Sequence, residues 1–210
     1  FCRNYILKLI DNHNRIHNYL RISLTDKCNL NCTYCNPNGI GFSNFDKSEL
    51  LTNEELVRLI NIFTKHFEFK KVRLTGGEPL ARKNIMDLFD SIKGLKSDSH
   101  FDLGITTNGT FLLDKLVNLK NSGLDKLNIS LDTLDKLKYK SITGADKLTE
   151  VLQSIDKAKS LGFSPIKINT VVMKGVNDDE ILDMVEFAIE RDLNIRFIEF
   201  MPFSSNSWND

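Results

Sequence analysis

The chain has few cysteines, few prolines and no excess of either charge. Its 28 basic and 28 acidic side chains cancel over 210 residues. That balance excludes a broadly basic surface for nucleic acid or membrane headgroups, so neither is expected as a partner. No apolar run approaches the roughly 18 residues of a membrane helix. The 4 cysteines are too few for a disulfide framework, and a chain this long can bury a core without one. Disorder is excluded by 14 Phe and abundant Leu and Ile. Arginine is scarce, 8 against 20 lysines. Its planar fork binds carboxylate or phosphate bidentately, so each Arg invites a specific explanation, with drift in composition as the plain alternative.

What is present is a rhythm. Strand-like runs at Tyr19–Thr25, Lys71–Thr75, Phe101–Thr106, Lys126–Leu131, Ile166–Met173 and Ile195–Met201 alternate with amphipathic stretches. Thr52–Phe67 places Leu56, Leu59, Ile60, Phe63 and Phe67 at helical spacing, behind a Thr52/Glu55 capping box. Further helices are expected at Asn84–Leu95, Leu112–Asn121, Leu148–Leu161 and Asp178–Arg191, with Gly123 and Gly162 as stops. Strands separated by helices imply βαβ units and a parallel sheet.

Parallel strands covered on both faces read as continuous apolar runs. These do not. Leu20, Ile22 and Leu24 alternate with Arg21, Ser23 and Thr25, and Leu127, Ile129 and Leu131 alternate with Asn128, Ser130 and Asp132. An antiparallel sheet with one face in water would show the same alternation, but helical connections of about 20 residues argue against it. The remaining reading is an α/β fold, a partial (β/α) TIM-type barrel of about six parallel strands with helices outside and a polar lumen. Buried charge is costly unless paired, so the lumen is expected to hold a polar, anionic ligand. Sites in such folds gather at the carboxyl ends of the strands.

Three of the four cysteines, Cys28, Cys32 and Cys35, fall within eight residues just after the first strand, as Cys-x3-Cys-x2-Cys. Structural zinc usually takes four ligands in paired spacings, and no second pair lies nearby. Thiolates hold iron–sulfur clusters, and three cysteines leave one iron of a cubane open to a ligand. Tyr34 sits between two of them, while Cys2 is read as a bystander. Gly76-Gly77-Glu78-Pro79 follows the second strand and Thr106-Thr107-Asn108-Gly109 the third. The paired glycines allow close backbone approach to a ligand, or a turn of positive φ.

The cysteine motif followed by Gly-Gly-Glu-Pro resembles the radical S-adenosylmethionine (radical SAM) superfamily. The stretches Tyr19–Asp26, Arg73–Leu80, Thr106–Gly109, Asn128–Thr133, Lys167–Asp178 and Arg196–Pro202 are similar to the MoaA-type GTP 3′,8-cyclases of molybdenum cofactor biosynthesis. The resemblance runs from about Asp11 to Trp208. It implies a [4Fe-4S] cluster on Cys28, Cys32 and Cys35, whose open iron is chelated by SAM. Reductive cleavage of SAM would then yield a 5′-deoxyadenosyl radical that starts cyclisation of GTP. Carried over by position, SAM contacts fall on Tyr34, Gly77, Ser130 and Met201. GTP contacts fall on Arg21, Arg73, Thr106 and Lys167.

The resemblance also implies an electron donor, a homodimer, and a location in the mitochondrial matrix for a eukaryotic source or the cytoplasm otherwise. The ending Phe-Met-Pro-Phe with Asn206 and Trp208 is closer to the eukaryotic branch. Asn36 stands where the family usually has Met, and Asn14 where it has Gly. Residues 1–210 read as the barrel domain alone, since the family's C-terminal region, with a second [4Fe-4S] cluster and further arginines, is absent. Two other readings remain open. A radical SAM peptide-modifying maturase would share the cysteines and Gly-Gly-Glu-Pro without needing Arg21, Arg73 and Lys167. A non-enzymatic module would hold zinc.

Overall fold

Short alternating strands and amphipathic helices assemble here into a singly wound sheet. A computed structural model of the chain describes residues 7–35 and 50–201. Cys2, Asn36, Asn206 and Trp208 lie outside them. A small antiparallel hairpin of β1 (Leu9–Ile10) and β2 (Ile16–His17) comes first. The turn between them carries Asn14 at φ 60°, the left-handed conformation that asparagine tolerates in place of glycine.

The sheet itself comprises β3 (Tyr19–Ser23), β4 (Lys71–Thr75), β5 (Asp102–Thr107), β6 (Lys126–Ser130), β7 (Ile166–Val172) and β8 (Asn194–Glu199). All six pair in parallel, each with its sequence neighbour, in the order β3-β4-β5-β6-β7-β8. This is the expected six-stranded parallel arrangement, left open between β3 and β8. The first strand and the last stop two residues short of the expected ends, and β7 stops one short.

Helices cover one face of the sheet. Between β3 and β4 runs α1 (Asn53–His66), opened by the expected capping box. Glu55 N–H donates to Thr52 Oγ1 at 3.2 Å, and Thr52 N–H donates to Glu55 Oε2 at 2.8 Å. Then come α2 (Ile85–Lys96), α3 (Leu116–Asn121), α4 (Lys136–Thr143), α5 (Leu148–Ser160) and α6 (Ile181–Glu190). The expected helix at 112–121 is irregular until Leu116, and that at 178–191 begins with a short 3-10 turn. Gly123 and Gly162 follow α3 and α5 at φ 81° and 74°, as helix stops.

The core lies between helices and sheet. Leu56 and Ile60 of α1 and Leu88, Phe89 and Ile92 of α2 pack with Val72, Leu74, Leu103, Ile105, Leu127, Ile129, Ile166 and Ile168 from the strands. All are almost fully buried, each contributing about 1.5–3 kcal/mol. Their strand neighbours point the other way, into the lumen. The period of two seen in the sequence is thus the inside–outside alternation of a barrel wall.

Candidate functional site

The carboxyl ends of the strands carry a rim held together by its own hydrogen bonds. The cysteine loop follows β3. Asn31 N–H donates to Thr143 O and Thr33 N–H to Ile142 O, both at 2.9 Å. The last carbonyls of α4, which no helical partner could satisfy, thereby anchor the loop. Gly77 N–H donates to Thr25 O and Glu78 N–H to Lys27 O, both at 2.7 Å. A Cβ on Gly77 would stand 2.4 Å from Lys27 O, and one on Gly76 2.5 Å from Thr25 O. The two glycines thus permit close approach first to the cysteine loop's own backbone, a partner that the sequence alone did not reveal.

Glu78 is fully buried and supports the rim. Its Oε1 accepts from Leu80 N–H at 2.9 Å and from the Thr107 hydroxyl at 2.8 Å, and its Oε2 from Asn108 N–H at 2.7 Å. Burial raises its pKa, and these bonds oppose the rise. Arg82 ties the rim to the end of β3 and the start of α1 by donating to Leu24 O at 2.5 Å, Leu51 O at 2.6 Å and Asn53 Oδ1 at 3.2 Å.

Cys28, Cys32 and Cys35 carry free thiols. They line one cavity of about 220 Å³ with Tyr34, Gly77, Thr106, Ser130 and Asp132. Leu30 N–H points at Cys28 Sγ at 3.5 Å, and Asn108 Nδ2 at 3.7 Å. Burial pushes Cys32 up to about 12, with Asp132 and the neighbouring thiols adding to it, and burial also raises Cys35. Three thiolates here need a cation to offset their charge. Among the described residues, no three His, Cys, Asp or Glu side chains are gathered as ligands of a single ion. A cubane asks for a different arrangement, one thiolate per iron, and the donor set fits it.

The Tyr34 hydroxyl donates to Asp132 Oδ2 at 2.8 Å, while Val171 N–H donates to Asp132 Oδ1 at 2.8 Å. This carboxylate, raised to about 6 by burial, spans from the cysteine loop to β7. It had no separate signal in the sequence beyond its place on the alternating face.

Below the rim the lumen is cationic. Arg21 pairs in register with Arg73 across β3 and β4, and Asn128 with both Thr106 and Lys167. A cavity of about 350 Å³ is lined by Arg21, Arg73, Lys126, Lys167 and Arg196. Arg73 Nε donates to the Tyr19 hydroxyl at 2.6 Å, and Arg21 lies 5.3 Å from the Tyr19 ring centre. Burial lowers the Lys167 pKa, and Arg196, Arg73 and Lys126 lower it further. A third cavity, of about 550 Å³, joins the two levels and contains Arg21, Thr106 and Arg196.

The structure therefore brings Tyr34, Gly77 and Ser130 beside the three cysteines, and Arg21, Arg73 and Lys167 together below. Thr106 stands at the junction. Met201, 67% exposed just beyond β8, lines none of these three cavities.

A parallel partial barrel with a three-thiol mouth and a cationic lumen defines the class, a barrel protein suited to a thiolate-held metal cluster above an anion site. Residues 22–188 match the model of the radical SAM superfamily, and the chain belongs to that superfamily. It is 50% identical over 204 residues to a mitochondrial GTP 3′,8-cyclase of Arabidopsis thaliana, covering 96% of this chain and 50% of that protein. It is 46% identical over 200 residues to a GTP 3′,8-cyclase of Limosilactobacillus fermentum, covering 95% of this chain and 59% of that one. The chain thus spans little more than half the length of these relatives. In fold it is similar to the crystal structure of Streptococcus suis SuiB bound to S-adenosylmethionine. The TM-score is 0.74 at 21% identity, over 93% of this chain and 44% of that one.

Proposed function

We propose that the chain is the SAM-binding barrel of a GTP 3′,8-cyclase, acting in the first step of molybdenum cofactor biosynthesis. The observation that carries this reading is the cationic set Arg21, Arg73 and Lys167 directly below the cysteine mouth. A triphosphate is the ligand that such a set suits, because guanidinium forks and an ammonium donate to acceptor-only phosphate oxygens. A peptide-modifying maturase has no comparable need for it.

In this reading Cys28, Cys32 and Cys35 hold a [4Fe-4S] cluster, and Tyr34, Gly77, Ser130 and Met201 contact SAM. Together these groups, when bound, supply one-electron chemistry that ends in hydrogen abstraction from the substrate ribose. The protein's part is placement. Asn108 and Leu30 donate toward Cys28 Sγ and orient that ligand. The Tyr34–Asp132 bond holds the loop between Cys32 and Cys35. Arg21, Arg73, Thr106 and Lys167 bind GTP so that its sugar lies toward the mouth.

The longer parent protein is inferred to supply the second cluster, further GTP contacts and a homodimer. An external donor provides the electron. The mitochondrial matrix is the inferred compartment for a eukaryotic source, supported by likeness to the plant protein named mitochondrial.

The test uses the full-length parent, purified without oxygen and reconstituted with iron and sulfide. Iron, sulfide and zinc are quantified. The 5′-deoxyadenosine formed from SAM is then measured with and without GTP. Iron and sulfide with GTP-dependent formation is the expected result. Zinc alone, or SAM cleavage indifferent to GTP, would overturn the reading.

A further inference from the structure

Two buried polar atoms in the lumen lack a hydrogen-bond partner, Oδ1 of Asn128 and Oδ1 of Asn169. Asn128 as a whole is only 5% exposed. The two stand on adjacent strands, Asn128 in register with Lys167 and Asn169 with Ser130. Both line the cavity that joins the cationic lumen to the mouth.

A buried carbonyl oxygen without a donor is unfavourable, and folded proteins rarely leave one. Among the described residues, no other buried side-chain oxygen or nitrogen is left so. Asn177, equally buried, donates through Nδ2 to Asp132 O at 2.7 Å and Val171 O at 2.9 Å, and accepts through Oδ1 from Met173 N–H at 2.7 Å. The missing donors of Asn128 and Asn169 are therefore best supplied by a ligand. Phosphate oxygens cannot supply them, because at neutral pH they chiefly accept. The ligand part must carry O–H or N–H groups.

Position narrows the choice. The connecting cavity includes neither the cysteines nor Tyr34, so these two residues line the substrate side rather than the SAM side. Asn128 sits beside Lys167, where the phosphates are placed. In a nucleotide the group next to the phosphates is the sugar, with the base one unit further on. Two acceptors on neighbouring strands suit the two adjacent hydroxyls of a ribose.

We propose that Asn128 and Asn169 accept hydrogen bonds from the ribose 2′- and 3′-hydroxyls of the nucleotide, fixing the sugar between the lumen cations and the cysteine mouth. The proposal deepens the cyclase reading and rests on it. It makes the two asparagines positioning residues for the sugar and a filter against nucleotides lacking a hydroxyl.

The test is a binding cycle on the full-length reconstituted protein. GTP, 2′-deoxy-GTP, 3′-deoxy-GTP and inosine triphosphate are titrated into wild type, Asn128→Ala and Asn169→Ala, and SAM affinity is measured beside them. Each variant is expected to bind GTP about tenfold more weakly. Wild type should lose about as much for at least one deoxynucleotide, and the variants should lose little more for that same analogue. SAM affinity should stay within about twofold of wild type, a change too small to reflect a lost hydrogen bond. Additive losses for both deoxynucleotides would overturn the proposal. So would coupling to inosine triphosphate, which places the base there, or weakened SAM with unchanged GTP. Should Asn128→Ala melt below the assay temperature, Asn169→Ala carries the same cycle alone. A wild type that binds no GTP fails the cyclase reading itself, and the sugar proposal with it.

Discussion

Glu78, in the loop after β4, and Asn128, on β6, are both buried polar residues, yet their surroundings are opposite. Glu78, 0% exposed, accepts three hydrogen bonds from the loop after β5 and from its own turn. Asn128, 5% exposed, has an oxygen with no partner at all. The rim is a closed network whose polar atoms satisfy one another and hold the cysteine loop. The lumen is an open one, with unpaired acceptors and several cations facing each other. Polar groups that answer one another are structure. Those that answer nothing in the chain are aimed at a ligand.

The comparison breaks most visibly at Glu78. Glu78→Ala would orphan the Leu80 and Asn108 amides and the Thr107 hydroxyl, and should lower unfolding free energy by about 3 kcal/mol or more. Chemical denaturation measures it, and a loss below about 1 kcal/mol would mean that water replaces the carboxylate. Lys167→Ala in the full-length protein should behave the other way. GTP binding should weaken by about 1–3 kcal/mol while the fold persists. Unchanged affinity by calorimetry would remove Lys167 from the site.

Cys32→Ala separates loop from ligand. Its unfolding free energy should change by no more than about 1 kcal/mol, because the loop is tied by backbone bonds to α4 and to Gly77. Cluster iron should be lost, and stoichiometric iron in the variant would contradict the ligand assignment.

The smallest effect carries a sign. Burial and the neighbouring Arg196, Arg73 and Lys126 hold the Lys167 pKa below its ordinary value. A group whose folded pKa is lowered binds more protons unfolded than folded between the two values, so its penalty lifts as pH rises through the folded pKa. Lys167→Met should therefore stabilise the ligand-free protein slightly at neutral pH, an effect kept small by solvent screening. That advantage should shrink toward the ordinary lysine range. Thermal melts across that window read it.

Much of this contrast was legible in the sequence, because strand alternation survives folding directly. Arg21, Asn128 and Ser130 fall on the lumen face that period two assigned them, in register with Arg73, Thr106, Lys167 and Asn169. The cysteine loop was legible from spacing alone. What the sequence hid is what depends on contacts distant in the chain. That Gly76 and Gly77 make room for the Thr25–Lys27 backbone, and that Asp132 anchors Tyr34, are pairings across about 50 and 98 residues. The short helix α4 was also hidden. Leu137 within it is 78% exposed, which blurs its apolar stripe, though Asp135 as cap and Gly144 as stop mark its ends.

The central claim is that the lumen cations exist to hold a triphosphate. It is tested most directly by titrating GTP, GDP, GMP and guanosine into the full-length reconstituted protein at fixed ionic strength. The account predicts that affinity falls at every step as phosphates are removed, with a salt dependence that weakens in parallel. An affinity that is flat across the series would contradict it.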